Sequence, residues 1–214
     1  MPEILLDKKT DALLVIDVQN DFCMGGALEV PGADQVVAPT NSLMHIFSTV
    51  VCSQNWLPRN HQSFATVHKN RAPFEYLDTP YGHQVLWPEH CVQGTLGAEF
   101  HPSLCMDQAD LIIRKGLHPH IGCHSAFFEN DKRTSTGLSG FLHEKGIKRL
   151  FLTGLAFDYC VAFSALDGRK EGFEVIIMCD ATRAMGGPRR DHLVRSMRDE
   201  GVELSSTQAV IWRW

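Results

Sequence analysis

Short apolar blocks alternate with stretches of helical spacing along most of this chain. The blocks fall at 12–16 (ALLVI), 48–53 (STVVCS), 109–113 (ADLII), 150–153 (LFLT), 173–178 (FEVIIM) and 209–212 (AVIW). Blocks of this length, β-branched and with little polar alternation, predict strands covered on both faces. Helical spacing runs over 33–47, 138–145, 159–170 and 191–200, and Pro39 argues for a kink or a late start in the first of these. Gly146, Gly172 and Gly201 each follow a helix, where a residue of positive φ closes the last turn. The alternation predicts a three-layer α/β/α fold: a six-stranded, mainly parallel sheet between helices, joined by right-handed crossovers. Segment 57–108 breaks the pattern, with Pro, Gly, His and Trp but little periodicity, and a loop that long is expected to serve function. Residues 1–214 read as one domain.

Composition narrows the class. The 214 residues are 44% hydrophobic and 21% charged, enough for a sizeable core. A formal net charge of −5 gives no reason to expect nucleic acid or anionic membrane as a partner. There is no apolar leader over 1–10 and no run long enough to span a bilayer. Seven cysteines, an odd number without C-x-x-C pairs, fit reduced thiols in a cytoplasmic setting better than a disulfide framework or a zinc ribbon. Related folds often self-associate, but no apolar stripe locates an interface, so a homo-oligomer stays open.

The candidate chemistry gathers at strand ends, where ligands bind in open α/β sheets. Gly154 is placed to end the fourth strand, Asp158 to cap the next helix, and Cys160 to fall in its first turn. There the helix dipole and unpaired N–H groups favour a nucleophilic thiolate. From position alone, a small inert core residue is an equal reading of Cys160. Asp17 closes the first strand and Lys115 follows the third. If the strands are neighbours, a carboxylate, an ammonium and a thiol converge on one crevice, a workable nucleophile–base set. Each taken singly is also an ordinary cap or a solvated strand end.

The motifs then combine in order. Asp17-Val18-Gln19-Asn20-Asp21-Phe22-Cys23 precedes Gly25-Gly26-Ala27-Leu28. Trp87-Pro88-Glu89-His90-Cys91-Val92-Gln93-Gly94-Thr95 follows, then Lys115-Gly116, Ser125-Ala126-Phe127-Phe128 and Gly154-Leu155-Ala156-Phe157-Asp158-Tyr159-Cys160-Val161. The chain resembles the nicotinamidases among the isochorismatase-like cysteine hydrolases, over nearly its whole length. The resemblance implies hydrolysis of nicotinamide to nicotinate and ammonia in NAD salvage, through a thioester on Cys160. It implies Asp17, Lys115 and Cys160 as the catalytic set and the backbone N–H groups of Ala156 and Cys160 as an oxyanion hole. A cis peptide before Ala156 is implied as well. Phe22, Leu28, Trp87 and Tyr159 fall where the family walls the ring, although aromatics near strand ends are also ordinary core.

The family also holds a divalent metal, zinc by ligand type, through Asp-x-His, a later His and the His of the Trp-Pro-x-His-Cys segment. Here His61 and His90 match, whereas Asn55 stands where Asp is expected and Leu57 where His is expected. Two imidazoles, with the Asn55 carbonyl and water, form a weak zinc site at best, so an occupied and an empty locus both stay open. Leu117-His118-Pro119-His120-Ile121-Gly122-Cys123-His124 imitates a metal cluster without tetrahedral spacing and reads as a surface loop, with substrate access past His124 a lesser alternative. Gly186-Gly187-Pro188-Arg189-Arg190 reads as a turn into the last helix and lacks the Lys-Ser/Thr ending of a phosphate loop. Two other functions compete: a related hydrolase acting on another small amide without metal, and a non-catalytic binding relative.

Overall fold

The computed structural model describes residues 3–187 and 190–212. Met1, Pro2, Pro188, Arg189, Arg213 and Trp214 lie outside it, and with them part of the expected 186–190 turn and of the chain's last four residues. Among the described residues the strands are β1 (Ile4–Leu5), β2 (Asp11–Ile16), β3 (Val50–Asn55), β4 (Tyr76–Thr79), β5 (Gly82–Val85) and β6 (Leu111–Lys115). After them come β7 (Arg149–Leu155), β8 (Glu174–Arg183), β9 (Glu203–Ser205) and β10 (Val210–Ile211). The helices are α1 (Val37–Met44), α2 (Leu138–Glu144), α3 (Ala162–Lys170) and α4 (Arg190–Asp199).

Six strands form one parallel sheet in the order β6-β3-β2-β7-β8-β9. Counted along the chain this is 3-2-1-4-5-6, so the winding reverses between β2 and β7, where such sheets open a crevice. Alternate side chains go to opposite faces. Leu13, Val15, Val50, Cys52, Phe151 and Ile176 pack with Val37, Leu43 and Met44 of α1. Ala12, Leu14, Ile16, Val51, Leu150 and Leu152 pack with Leu138 and Leu142 of α2, Ala162 and Ala165 of α3, and Met197 of α4. Every position of β2 and β3, and all but the first of β7, is buried, which is why these central runs show no polar alternation. Each of the valines, leucines, isoleucines, phenylalanines and methionines among them contributes about 1.5–3 kcal/mol by leaving water.

The expected strands are found with shifted ends, and one is exchanged. The second runs over Val50–Asn55 and the third over Leu111–Lys115, each two residues later than its apolar block. Val210–Ile211 does not join the central sheet; it pairs with Ile4–Leu5 in a separate parallel ribbon. The sixth place belongs to β9, held by β8 through backbone pairing of three residues, too few to leave an apolar signal. Pro39 lies in the first turn of α1, after a 3-10 turn at Ala33–Val36, where its missing N–H forfeits no intrahelical bond. Gly146, Gly172 and Gly201 all have positive φ, as a closing residue needs. Segment 57–108 is not structureless: β4 and β5 form an antiparallel hairpin within it.

Candidate active site

The carboxyl ends of β2, β3, β6 and β7 supply the polar centre. Asp17 is the first residue beyond β2 and has φ 49°, in the left-handed region that Asp tolerates better than most residues. Asn55 and Lys115 end β3 and β6 and are partners in the parallel register. Gly154 does not end β7, which runs one residue further to Leu155. A Cβ on Gly154 would lie 2.0 Å from the Ile16 carbonyl oxygen, and its φ is 102°, so glycine is what lets β7 lie this close to β2. The Leu155–Ala156 peptide is cis, as the resemblance implied. After it comes a π-helical turn, Phe157–Val161, in which the Val161 N–H donates to the Ala156 carbonyl at 3.1 Å. Cys160 therefore sits in this turn and not in the first turn of an α-helix; α3 begins two residues later. Single π turns of this kind recur at functional sites. Nor is Asp158 a cap: its carboxylate accepts the backbone N–H groups of Met185 and Gly186, both at 2.9 Å.

Asp17, Lys115 and Cys160 meet. Lys115 Nζ lies 2.8 Å from Asp17 Oδ2, 2.8 Å from Asn55 Oδ1 and 3.6 Å from Cys160 Sγ. These three acceptors use the ammonium's three N–H bonds. Asp17 Oδ1 accepts from Ser53 Oγ at 2.6 Å, and Oδ2 accepts from Asn55 Nδ2 at 3.1 Å. Asp17, Ser53 and Lys115 are wholly buried. Gln19 clamps the backbone of Asn55 from both sides, its Oε1 accepting from the Asn55 N–H at 2.8 Å and its Nε2 donating to the Asn55 carbonyl at 2.9 Å. Ser53, Gln19 and the amide of Asn55 are thus part of the centre, a role their place in the sequence did not disclose. Pairing β3 beside β2 would have drawn attention to Ser53.

The electrostatics correct the expectation of a resting thiolate. Burial pushes the Cys160 thiol up to about 12; the Lys115 ammonium pulls it down, and the neighbouring Asp17 carboxylate pushes it up again. Burial alone would lower the Lys115 ammonium, but Asp17 and then Cys160 outweigh it and hold it well above the usual lysine range. The resting centre is a protonated thiol that accepts from a fixed cation, with a carboxylate beside them both. Such a set can move a proton from sulfur to carboxylate at the moment of attack.

A cleft opens onto this centre. Phe22, Leu28, Trp87 and Tyr159 line it, together with Ala156 and Cys160. The Trp87 and Tyr159 rings meet edge-on, 5.0 Å between centroids. His124, expected on a surface loop, lines the cleft as well, stacked on Phe163 at 5.3 Å. Its companions Pro119 and Gly122 disguised it, because the loop they shape folds back over the cleft. Met185, positioned by Asp158, and Gln84 and Ser63, from the 57–108 segment, complete walls that no local motif announced.

The residues expected to hold a metal do not fit one. His61 Nε2 faces the Ile121 carbonyl at 2.9 Å and must carry its proton there; His61 Nδ1 accepts from Ser63 Oγ at 2.7 Å. Both nitrogens of His61 are spent. The Asn55 amide bridges Asp17 and Lys115, leaving its oxygen turned toward an ammonium. Leu57 has no donor. His90 donates from Nδ1 to the Pro88 carbonyl at 2.8 Å and lines the cleft. Among the described residues no group of three His, Cys, Asp or Glu side chains is arranged to bind an ion.

An Isochorismatase domain model matches residues 11–209. The chain is 47% identical over 202 residues to the nicotinamidase of Acinetobacter baylyi, covering 94% of each. It superposes with a TM-score of 0.87 and 35% identity on an L. infantum structure in complex with nicotinate, covering 98% of this chain and 99% of that one. A pyrazinamidase of Pyrococcus horikoshii in complex with zinc matches with a TM-score of 0.75 and 32% identity, over 92% of this chain and 98% of that one.

Proposed function

The chain belongs to the Isochorismatase-domain family, and from that membership and its buried centre we infer that it hydrolyses nicotinamide to nicotinate and ammonia. The observation that carries the reading is the meeting of three side chains from the carboxyl ends of β2, β6 and β7, with Lys115 Nζ 2.8 Å from Asp17 and 3.6 Å from Cys160. We assign all 214 residues to one catalytic domain.

Asp17 takes the thiol proton as Cys160 Sγ attacks the carboxamide carbon. Lys115 neutralises the anionic charge as it passes between carboxylate and sulfur, and Ser53 and Asn55 hold the carboxylate in place. The backbone N–H groups of Ala156 and Cys160 receive the tetrahedral oxyanion. Protonated Asp17 gives its proton to the departing nitrogen, the C–N bond breaks, ammonia leaves and a thioester remains. Asp17, a carboxylate again, takes a proton from water as it attacks the thioester. The C–S bond breaks, nicotinate is released and the sulfur recovers a proton. Each proton transfer contributes on the order of 10²–10⁴-fold. Phe22, Leu28, Trp87 and Tyr159 hold the ring by packing.

The intact nucleophile, acid and amine argue against a non-catalytic binding role. Asn55 and Leu57 favour a second reading, hydrolysis of other small amides without metal. No helix among the described residues is long and apolar enough to cross a membrane. A cytoplasmic, reducing setting accords with seven free cysteines, and the product would feed NAD salvage there. The test is ammonia release from nicotinamide, measured beside a panel of small amides, for the native chain and Cys160→Ala. Trapping the acyl group on Cys160 by mass spectrometry is expected, and an active, folded Cys160→Ala protein would refute the assignment.

A further inference from the structure

We propose that this chain hydrolyses six-membered aryl carboxamides without a divalent metal, and that the residues at its metal locus give a ring nitrogen no partner. The inference deepens the hydrolase reading above and rests on it. It comes from what occupies the metal locus of the fold.

Leu57 is not a ligand position left vacant. It is buried, lines the same cleft as Cys160, and packs so closely on Gly116 that a Cβ added there would meet Leu57 Cδ2 at 2.4 Å. Its backbone is bound to the segment that carries His90: the Leu57 N–H donates to the Cys91 carbonyl at 3.0 Å, and the Gln93 N–H donates to the Leu57 carbonyl at 2.9 Å. Leu57 and His90 therefore form one continuous piece of wall.

Asn55 has been drawn into the proton-transfer centre. A divalent ion bound to its oxygen would stand beside the Lys115 ammonium, which already lies 2.8 Å from that atom. His61, with both nitrogens bonded, is not among the cleft walls. Among the positions where the family holds its metal, what remains is the Nε2 lone pair of His90, because its Nδ1 proton is given to the Pro88 carbonyl; His124, Ser63 and Gln84 line the cleft outside that set. One imidazole lone pair does not make a zinc site. Nor can it hydrogen-bond to a pyridine nitrogen, which brings a second lone pair and no proton. Leucine methyl groups meet a ring C–H and a ring nitrogen alike. A wall of this chemistry distinguishes the two rings weakly, since discrimination of a polar atom requires a partner built to satisfy it.

The test uses the full chain purified without added zinc. Metal content is measured by mass spectrometry, and kcat/KM is measured for nicotinamide and benzamide with and without a chelator. A second protein carrying Asn55→Asp and Leu57→His restores the missing donors. The native chain is expected to hold less than ~0.1 metal ion per molecule and to keep its activity within about twofold under chelation. Benzamide is expected within about tenfold of nicotinamide. Zinc titration should bind the doubly substituted protein at least about tenfold more tightly than the native one. Stoichiometric metal in the native chain would overturn the inference, as would activity lost to chelator and restored by zinc. So would a preference for nicotinamide of about a hundredfold or more. Loss of both hydrolyses in a folded native chain would overturn the hydrolase reading together with this one, while the zinc titration reports the metal locus separately.

Discussion

Lys115 and Asp17 form an ion pair of 2.8 Å with neither side chain exposed to solvent. Their attraction offsets the desolvation of both, so removing one charge leaves the other uncompensated in the interior. Lys115→Met is expected to lower unfolding free energy by about 3–5 kcal/mol and to abolish hydrolysis. Urea unfolding followed by circular dichroism checks the first, and ammonia release the second; an unchanged midpoint would mean that the pair stabilises nothing.

Ser53 Oγ donates to Asp17 Oδ1 at 2.6 Å, a hydrogen bond to an ionised acceptor. Ser53→Ala removes it with little change of volume. A loss of about 1.5–3 kcal/mol in transition-state stabilisation is expected, or roughly ten- to a hundredfold in kcat/KM. Ser53→Thr should recover most of it, because the hydroxyl is kept. Steady-state kinetics of the two variants decide the matter, and equal rates would make Ser53 a bystander.

Alkaline pH should weaken the fold. Burial raises the thiols of Cys52 and Cys160 from 9.0 to about 12. Between those values the unfolded chain has lost protons that the folded chain keeps, so stability is complete below about pH 9 and declines as pH rises. The two thiols together account for about 3 kcal/mol at pH 10. Burial likewise raises the thiols of Cys23, Cys91 and Cys123, so urea midpoints at pH 8 and pH 10 under reducing conditions should fall by more than this, and Cys52→Ala should flatten the decline by about a fifth.

Gly154→Ala places a Cβ 2.0 Å from the Ile16 carbonyl at a φ of 102°. Backbone on both sides must part, breaking the contact between β2 and β7 on which the centre depends. Destabilisation of roughly 3 kcal/mol or more is expected, with activity lost even in molecules that fold. Thermal unfolding of the purified variant provides the check, and a native-like melting temperature would show that the strands have slack.

Much of this is legible in the sequence. The central strands announced themselves because burial on both faces demands uninterrupted apolar runs, and the strand-end rule brought Asp17, Lys115 and Cys160 forward together. The misreadings share a cause. Cys160 as a ready thiolate followed from a local helix argument, whereas its protonation is decided by how deeply it is buried, a property of the whole assembly. Asn55 read as a defective ligand because its two partners lie 38 and 60 residues away. His124 looked solvated because its loop reads as polar and irregular, yet that loop closes over the cleft against Phe163. The sixth strand was exchanged for a more hydrophobic neighbour, since three residues of β9 carry too little pattern to compete with Val210 and Ile211.

The winding of the sheet has a consequence for the newborn molecule. β7 takes its place beside β2 on the flank opposite β3, so the sulfur arrives last, long after the acid and the amine have been synthesised. A polypeptide still emerging from the ribosome, or one cut short before residue 160, is chemically silent however well its first half has collapsed.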